Sequence, residues 1–421
     1  MSRASSLVLL SITIAASIAV ASDPVLGPIT VTASNPGDQF RPVIAYDAEH
    51  DRYLAVWHQE VSGVLQIVGR TVDADGWPLG NSFFITDEAT DQTLADVVYL
   101  PDVDRYLVVW VNDYFGDGSD HDIRGRLVPW IGLDPSLTPF TINDAPTDQG
   151  HPRVAVSPSI HEVMIVWETQ DVAAPPVIEA QRWSTSGSSV SPVLTIAADG
   201  GSAYLDPRVT WSEENDRYLI VYQRTQAGGD GDIYAAHLSY SGTVLAGDVG
   251  IAGFVGEEGQ PDVAACEDGY LVVWAGNDGG GTKVFTRPVA ADLALGTIVN
   301  LSDQFPGQGW PAVACRPASG GYLVAREALF IGDVAGVVGE LVDPRGASVA
   351  EFNIRGAVVG SSREATRPAV ATGDGRALVI WEEDRADLAH QDVSGRWVDL
   401  GLFVDGFERG DRSRWSLSQP Q

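Results

Sequence analysis

The chain has 421 residues and a formal net charge of −31, with acidic side chains spread along its whole length. Such a charge repels phosphate backbones and anionic lipid, so nucleic acid is excluded as an expected partner. After the N-terminal leader, no segment approaches the roughly 18 to 20 uninterrupted apolar residues of a membrane span. We therefore expect a soluble monomer, with no membrane insertion once the leader is removed.

The N terminus has the order of a secretory signal peptide over residues 1–21. A basic residue, Arg3, precedes an apolar stretch from Leu7 to Val20, and small residues at 19–21 lead to a cleavage site before Ser22. This order predicts export. The mature protein is expected to be secreted or periplasmic, with association at the cell surface as a further alternative.

The strongest pattern in the chain is a sevenfold repeat of an apolar run, such as YLAVW or YLVVW, that ends at an anchor position. Successive anchors lie 53, 57, 55, 52, 52 and 55 residues apart. This period is too long for leucine-rich or ankyrin repeats and suits units of four strands, so each copy is predicted to be one propeller blade. The anchors are Trp57, Trp110, Trp167, Tyr222, Trp274, Arg326 and Trp381.

Each copy contains short runs rich in β-branched and aromatic residues, separated by Gly, Asp, Asn and Pro clusters. No stretch after the leader shows helical periodicity. The sequence therefore predicts an all-β fold, a seven-bladed β-propeller of four-stranded antiparallel blades over residues 22–400. The repeats lie near 41–93, 94–150, 151–205, 206–259, 260–309, 310–366, and 367–400 together with 28–33.

The closure of the ring is predicted from an orphan segment at the beginning of the mature chain. The seventh copy has no clear fourth strand, whereas PITVT, which begins at Pro28, stands ahead of the first copy and matches one. We expect this N-terminal strand to complete the last blade, because the exchange removes two open sheet edges.

An arginine recurs in the third run of five copies, at Arg70, Arg126, Arg182, Arg287 and Arg396. The other two copies have His237 and Glu340 at this place. Because the arginine repeats with the fold, the pattern favours a structural role, tying blade edges or turns together, over a functional one.

These motifs resemble a group of exported bacterial propeller proteins whose repeats run as P-x-V-A-Y, D-R-Y-L-V-V-W and G-R-x-V-D-x-x-G. The resemblance covers about residues 28 to 400 and implies the propeller architecture; it implies no particular chemistry. The sixth copy departs from it, with Arg326 at the anchor and VVGEL as its third run. The tail at 401–421 resembles a D-G-F-E-x-G signature at the ends of exported bacterial proteins. It is expected to be either a sorting or attachment tag, or a terminal strand or fraying tail.

A candidate binding site lies at one mouth of the central channel, which the first strands of the blades and the loops between second and third strands border. Residues around the repeat prolines vary from blade to blade in charge and size, as ligand binding at a preformed mouth requires. We predict a carbohydrate or protein ligand there. The candidate residues are Arg41, Asp96, His151, Arg153, Asp206, Arg208, Gln260, Asp262, Trp310 and Arg367.

Acidic loops on the same face raise the alternative of a calcium site. The loop VNDYFGDGSDHD supplies Asp113, Asp117, Asp120 and Asp122, and carboxylates on a glycine-rich backbone suit Ca²⁺. The bidentate glutamate of an EF-hand is missing, and Asp, Asn and Gly are also ordinary turn formers. The pattern favours turn residues, with Ca²⁺ as the one cofactor considered.

Two cysteines, Cys266 and Cys315, stand one repeat apart at corresponding strands. In an oxidising compartment they are expected either to form a disulfide that clamps two blades or to remain separate buried thiols.

The main functional hypothesis is an exported, non-catalytic binding or surface scaffold that recognises its ligand at the channel mouth. No G-x-S-x-G, H-E-x-x-H, phosphate-loop or sialidase Asp-box motif occurs. One alternative is a polysaccharide hydrolase or lyase that uses mouth carboxylates, for which Asp96, Asp206, Asp262 and the Glu257–Glu258 pair are candidates. A calcium-stabilised adhesion module is the third hypothesis.

Overall fold

The computed structural model describes residues 25–31, 37–118, 120–254, 256–267, 269–279, 281–301, 307–317, 320–330, 334–356, 364–385 and 390–400. The predicted signal peptide and the C-terminal tail lie outside these residues. The described chain forms seven separate four-stranded antiparallel sheets, which confirms the predicted seven-bladed propeller. No helix in these ranges has the length and apolarity to cross a membrane.

Blades 1 to 6 each consist of four strands that are consecutive in the chain. Blade 1 comprises β2 Gln39–Asp47, β3 Arg52–Val61, β4 Val64–Asp73 and β5 Pro78–Phe84, and blade 2 comprises β6 Gln92–Leu100, β7 Arg105–Asp113, β8 His121–Pro129 and β9 Phe140–Asn143. Blade 3 comprises β10 Asp148–Ser157, β11 Glu162–Gln170, β12 Val177–Ser184 and β13 Leu194–Ala197, and blade 4 comprises β14 Ser202–Ser212, β15 Arg217–Gln226, β16 Gly231–Ser239 and β17 Val244–Ala252. Blade 5 comprises β18 Glu258–Cys266, β19 Gly269–Asn277, β20 Thr282–Ala290 and β21 Val299–Asn300, and blade 6 comprises β22 Gly307–Arg316, β23 Gly321–Phe330, β24 Val334–Val342 and β25 Ser348–Arg355. A single 3₁₀ turn, Pro158–Ile160, joins β10 to β11 among the described residues.

Blade 7 takes its strands from both ends of the described chain. It contains β26 Ala365–Thr372, β27 Arg376–Arg385 and β28 His390–Asp399, and β1 Val25–Thr30 pairs antiparallel with β28 as the outer strand. The predicted closure by the N-terminal strand is therefore confirmed. Both ends of the propeller are held in one sheet, so the ring opens only if that sheet comes apart.

The second strand of each blade is buried on both faces because its apolar residues are consecutive. Neighbouring residues of a strand point to opposite faces, so in β3 Val56 packs in a cluster with Tyr106 of blade 2 while Trp57 packs with Trp397 of blade 7. The five tryptophan anchors are at most 1% exposed. The repeated run thus fills the wedge between every blade and its two neighbours.

The recurring arginine of the third strand bridges adjacent blades. In four of the five copies its Nη1 donates a hydrogen bond to a carbonyl at the end of the preceding blade's outer strand. These bonds are Arg70 to Val31 at 2.9 Å, Arg126 to Ile85 at 2.7 Å, Arg287 to Ile251 at 2.5 Å and Arg396 to Ile354 at 2.7 Å. The contacts support a structural role for the arginine.

In blade 6, the hydrogen bond to the preceding blade is made by a different residue. Arg326 replaces the aromatic anchor, is 0% exposed, and donates from Nη2 to the Leu301 carbonyl of blade 5 at 3.0 Å. Its guanidinium also pairs with Glu340, with an Nε to Oε2 distance of 3.5 Å, and with Glu351. Five of the other blades have an arginine at the position of Glu340. This copy thus has an arginine in place of the aromatic anchor and a glutamate in place of the usual arginine, and the two changes compensate each other.

Blades 5 and 6 are also joined covalently. Cys266 of β18 and Cys315 of β22 form a disulfide with a Cα–Cα distance of 5.2 Å. Of the two alternatives that the sequence leaves open, the structure has the bridge between inner strands.

Candidate functional site

Every blade has a β-bulge in its first strand, at the place of the repeat proline. The residue before the proline, or before Ala95 in blade 2, has left-handed backbone with φ between 46° and 53°. A side chain in this conformation costs of order 1 kcal/mol, and such residues concentrate at functional sites. We call these seven residues the bulge ring: Arg41, Leu94, His151, Asp206, Gln260, Trp310 and Arg367.

Glutamates of the preceding blades hold three residues of the bulge ring in place. The backbone N–H of Arg41 donates to Oε1 of Glu382 at 2.5 Å, and that of Arg367 donates to Oε1 of Glu327 at 2.7 Å. Asp206 is held in the same way by Glu168, again at 2.5 Å. These glutamates were missed by the sequence reasoning, although each directly follows an anchor position (Trp167, Arg326, Trp381) and this shared place was a usable signal.

The first strands of all seven blades line one cavity of about 290 Å³ at the channel mouth. Eight of the ten predicted residues lie on its wall. His151 and Asp206 do not line it and lie beside it in the bulge ring. The wall residues are Arg41, Asp96, Arg153, Arg208, Gln260, Asp262, Trp310 and Arg367.

The second ring of the wall, two residues after the bulge ring, has a charged half and an apolar half. Blades 2 to 5 contribute Asp96, Arg153, Arg208 and Asp262, whereas blades 6, 7 and 1 contribute Ala312, Ala369 and Val43.

The two aspartates of the charged half are hydrogen-bonded into the next blade. Asp96 accepts the Val154 amide at 2.9 Å and Asp262 accepts the Val313 amide at 2.8 Å. Burial raises the pKa of both carboxyls. Burial and then the neighbouring Arg208 lower the pKa of Arg153 to about 10.

Above the apolar half of the second ring, the bulge ring carries two arginines and a tryptophan. The guanidinium of Arg367 lies over the Trp310 ring, 4.9 Å from its centroid, and its Nη1 is 3.3 Å from Oε1 of Glu382. Burial, followed by the charge of Arg367, lowers the pKa of Arg41. Within the described ranges, the Arg41 guanidinium makes no hydrogen bond or ion pair, and only its backbone is bonded. This half therefore presents cationic donors beside an aromatic face.

His151, Glu168 and Asp206 form a compact cluster at the junction of blades 3 and 4. One ligand atom from each lies within 4.8 Å of the others. His151 Nδ1 is 2.9 Å from Glu168 Oε1, and its Nε2 is 3.9 Å from Asp206 Oδ1. Asp206 of this cluster also interacts electrostatically with Arg41 and Arg153 of the cavity wall.

Among the four aspartates of the blade 2 loop, Asp113 acts as a turn residue. Asp113 accepts the amides of Gly116 at 2.8 Å and Gly118 at 3.0 Å. Asp122 is buried, and burial followed by the charge of Asp120 raises its pKa. Calcium binding by Asp113, Asp117, Asp120 and Asp122 stays a prediction.

The Glu257–Glu258 pair lies at the start of blade 5 and is not among the residues that line the cavity. Glu257 accepts from Nε2 of Gln223 at 2.5 Å, and the buried Glu258 accepts the Phe254 amide at 3.1 Å. Burial raises the pKa of Glu258 to about 8. Its carboxyl is next to Asp232, with which it shares a hydrogen bond.

No protein-family model and no curated protein matches the chain. Solved structures are similar to it in fold. Polysaccharide lyase Uly1 has a TM-score of 0.54 at 11% identity, over 87% of this chain and 91% of that one. A protein of unknown function from Dyadobacter fermentans has a TM-score of 0.53 at 11% identity, over 88% and 97%. The α-L-arabinanase of Penicillium chrysogenum, solved with arabinobiose, has a TM-score of 0.51 at 13% identity, over 90% and 99%. The chain is therefore similar to propeller lyases and glycoside hydrolases in architecture, at identities that establish the fold alone.

Proposed function

We propose that this protein is an exported binding protein that recognises a carboxylate-bearing carbohydrate at the channel mouth, without catalysis. The observation that carries the proposal is the Arg41 guanidinium, a half-buried cation on the cavity wall that makes no hydrogen bond or ion pair among the described residues, with Glu382 and Asp206 acting on it only at longer range. A cation held away from water without an acceptor lowers stability. A ligand carboxylate would supply that acceptor through strong, charge-assisted hydrogen bonds.

The neighbours of Arg41 suit a sugar acid. Trp310 offers a flat apolar face, already covered on one part by Arg367, and aromatic faces pack against the apolar side of sugar rings. Ala312 and Ala369 beneath them leave room because their side chains are small. Together these residues match a ligand with one charged group and one apolar face.

The strong negative charge of the whole protein does not determine the electrostatics inside the cavity. At physiological ionic strength exposed charges are screened within about 8 Å, so the acidic outer surface has little influence on contacts inside the cavity. On the cavity wall the arginines outnumber the aspartates, so the local charge is positive; the charged wall residues are Arg41, Arg153, Arg208, Arg367, Asp96 and Asp262. We infer that the acidic surface disfavours large polyanions while the mouth accepts a short anionic segment.

Export is part of the same proposal. The disulfide between Cys266 and Cys315 supports it, because such bridges persist in oxidising compartments.

The test compares oligogalacturonates with their methyl esters by titration calorimetry. The acid is expected to bind and the uncharged ester to bind at least tenfold more weakly. Arg41→Ala and Arg367→Ala should each weaken binding roughly tenfold to a hundredfold, the size of one charge-assisted hydrogen bond of about 1.5–3 kcal/mol.

Arg345→Ala is the matched control for these variants. It removes the same charge from the exposed turn between β24 and β25, at the opposite end of the blade, and should leave binding unchanged. Equal binding of acid and ester, or full binding by Arg41→Ala, contradicts the proposal.

A polysaccharide hydrolase or lyase is the second candidate function. It is favoured by Asp96 and Asp262 on the cavity wall, whose pKa values burial raises, as a general acid requires. The fold neighbours include enzymes that act on polysaccharides. Release of new chain ends from the same oligogalacturonates, abolished by Asp96→Asn or Asp262→Asn, would establish this activity in place of simple binding.

A further inference from the structure

The cluster of His151, Glu168 and Asp206 has a composition that the carbohydrate proposal does not use. It offers one imidazole nitrogen and two carboxylates, with ligand atoms within 4.8 Å of one another. In a tetrahedral Zn²⁺ site with ligands at about 2.0–2.2 Å, the ligand atoms lie about 3.3–3.6 Å apart. The three groups therefore need to approach one another by at most about 1.5 Å to share an ion in that geometry.

The contact between His151 and Glu168 is short but is not a satisfied hydrogen bond. Nδ1 of His151 lies 2.9 Å from Oε1 of Glu168, yet this fully buried nitrogen has no hydrogen-bond partner of acceptable geometry. Oε1 already accepts the Asp206 amide. A nitrogen lone pair and a carboxylate that face each other without a proton aligned between them are stabilised by a cation that both can bind.

A second cluster of the same composition shows the contrast. Asp47, His50 and Asp104 also bring three ligand atoms within 4.8 Å, near the turn between β2 and β3. There, Nδ1 of His50 is hydrogen-bonded to Asp47 Oδ2 at 2.8 Å, and Asp47 Oδ1 accepts the amides of Glu49 and His50. The His50 ring also stacks on an indole, that of Trp130. The histidine and Asp47 of this cluster are hydrogen-bonded to each other and to nearby amides, so no ion is needed to account for its geometry.

We propose that His151, Glu168 and Asp206 bind one divalent transition-metal ion, Zn²⁺ or Mn²⁺, beside the channel mouth. The mixed nitrogen and oxygen donors suit these ions better than Ca²⁺, which takes six to eight oxygens. Three protein ligands leave coordination positions open. His151 and Asp206 are partly exposed, with 32% and 26% of their side chains accessible, so those positions are reachable from solvent.

The ion competes with arginines for the same carboxylates. Asp206 interacts electrostatically with Arg41 and Arg153, and Arg208 lies two residues further along its strand. These cations reduce the affinity for a divalent ion.

The test is titration calorimetry of the chelator-treated protein with ZnCl₂ and with MnCl₂, at 150 mM NaCl with excess Mg²⁺ to saturate unspecific carboxylates. One ion per chain is expected, and His151→Ala should weaken its binding at least tenfold. His50→Ala removes a histidine from the matched cluster and should leave binding unchanged.

Two further variants guard against misfolding. Asp206→Asn tolerates the left-handed backbone, and Glu168→Gln keeps an oxygen for the Asp206 amide, so both preserve the local structure while removing a ligand charge. Each should weaken binding at least tenfold. Absence of ion binding in the native protein, or native affinity in His151→Ala and Asp206→Asn, overturns the metal site. Arg41→Ala should retain the ion, so this site and the carbohydrate proposal fail separately.

Discussion

The buried ion cluster of blade 6 allows a sharp test of how the repeats compensate for one another. Arg326 is fully buried and holds Glu340, Glu351 and the Leu301 carbonyl of blade 5. Arg326→Met keeps an unbranched apolar stem and removes the charge. The variant leaves two carboxyls and one carbonyl without their donor.

The expected loss of stability follows from how deeply the partners are buried. Removal of one member of a buried ion pair costs about 3–5 kcal/mol. Glu340 exposes 3% of its side chain and Glu351 exposes 14%. Burial raises the pKa of Glu340 to about 7 even beside Arg326, so the carboxyl takes up a proton readily once the arginine is gone. The loss at pH 7 is therefore expected near the lower end, about 3 kcal/mol.

The assay is urea unfolding followed by tryptophan fluorescence, since several of the chain's tryptophans are fully buried anchors. The double variant Arg326→Trp/Glu340→Arg restores the arrangement of the other blades and should recover more than half of the loss. Its new arginine would donate to Leu301 as Arg287 does to Ile251. The loss caused by Arg326→Met should also be smaller at pH 5 than at pH 8, because neutral carboxyls need no counter-charge.

A loss below about 1 kcal/mol in Arg326→Met would show that the cluster is not an essential bridge. A double variant no more stable than Arg326→Met would refute the compensation between the two positions.

Two further predictions concern pH and redox state. Burial raises the folded-state pKa of three glutamates above the ordinary 4.5, to about 8 for Glu258 and about 7 for Glu327 and Glu340. The folded state thus keeps protons that the unfolded chain releases, so stability should fall as pH rises from about 5 to 8; calorimetric melting temperatures that increase over this range would contradict the sign. Reduction of the disulfide, or Cys266→Ala/Cys315→Ala, opens a loop with a sequence separation of 49 and should lower the free energy of unfolding by about 3–4 kcal/mol, with an unchanged urea midpoint as the refuting result.

The architecture could be predicted from the sequence because each blade repeats the same burial pattern. Consecutive apolar residues such as Val56 and Trp57 serve two neighbouring blades, and this double burial leaves a visible run in every copy. The orphan strand at Pro28 was identifiable because one copy lacked its outer strand. The compensation of Arg326 by Glu340 could not be predicted, because it depends on the pairing register of two strands. In that register Arg326 lies opposite Val338, two residues from Glu340.

The candidate site was predictable only in outline. The repeat prolines mark the bulges, so the side chains around the mouth were found. The glutamates that hold the bulge amides, Glu168, Glu327 and Glu382, were not found, because they belong to different strands and blades from the residues that they support. Without Glu168, the proximity of His151 to a carboxylate could not be inferred.

The support of the bulge ring by neighbouring blades has a consequence for engineering. Because a carboxylate from the adjacent sheet accepts the backbone amide at Arg41, Asp206 and Arg367, the side chain there is not needed to hold the bulge. Asparagine, aspartate and histidine tolerate this backbone most easily and β-branched residues least. The propeller thus offers a set of exchangeable positions around a fixed pore, in which libraries of reagents for different sugars could be built without redesigning the frame.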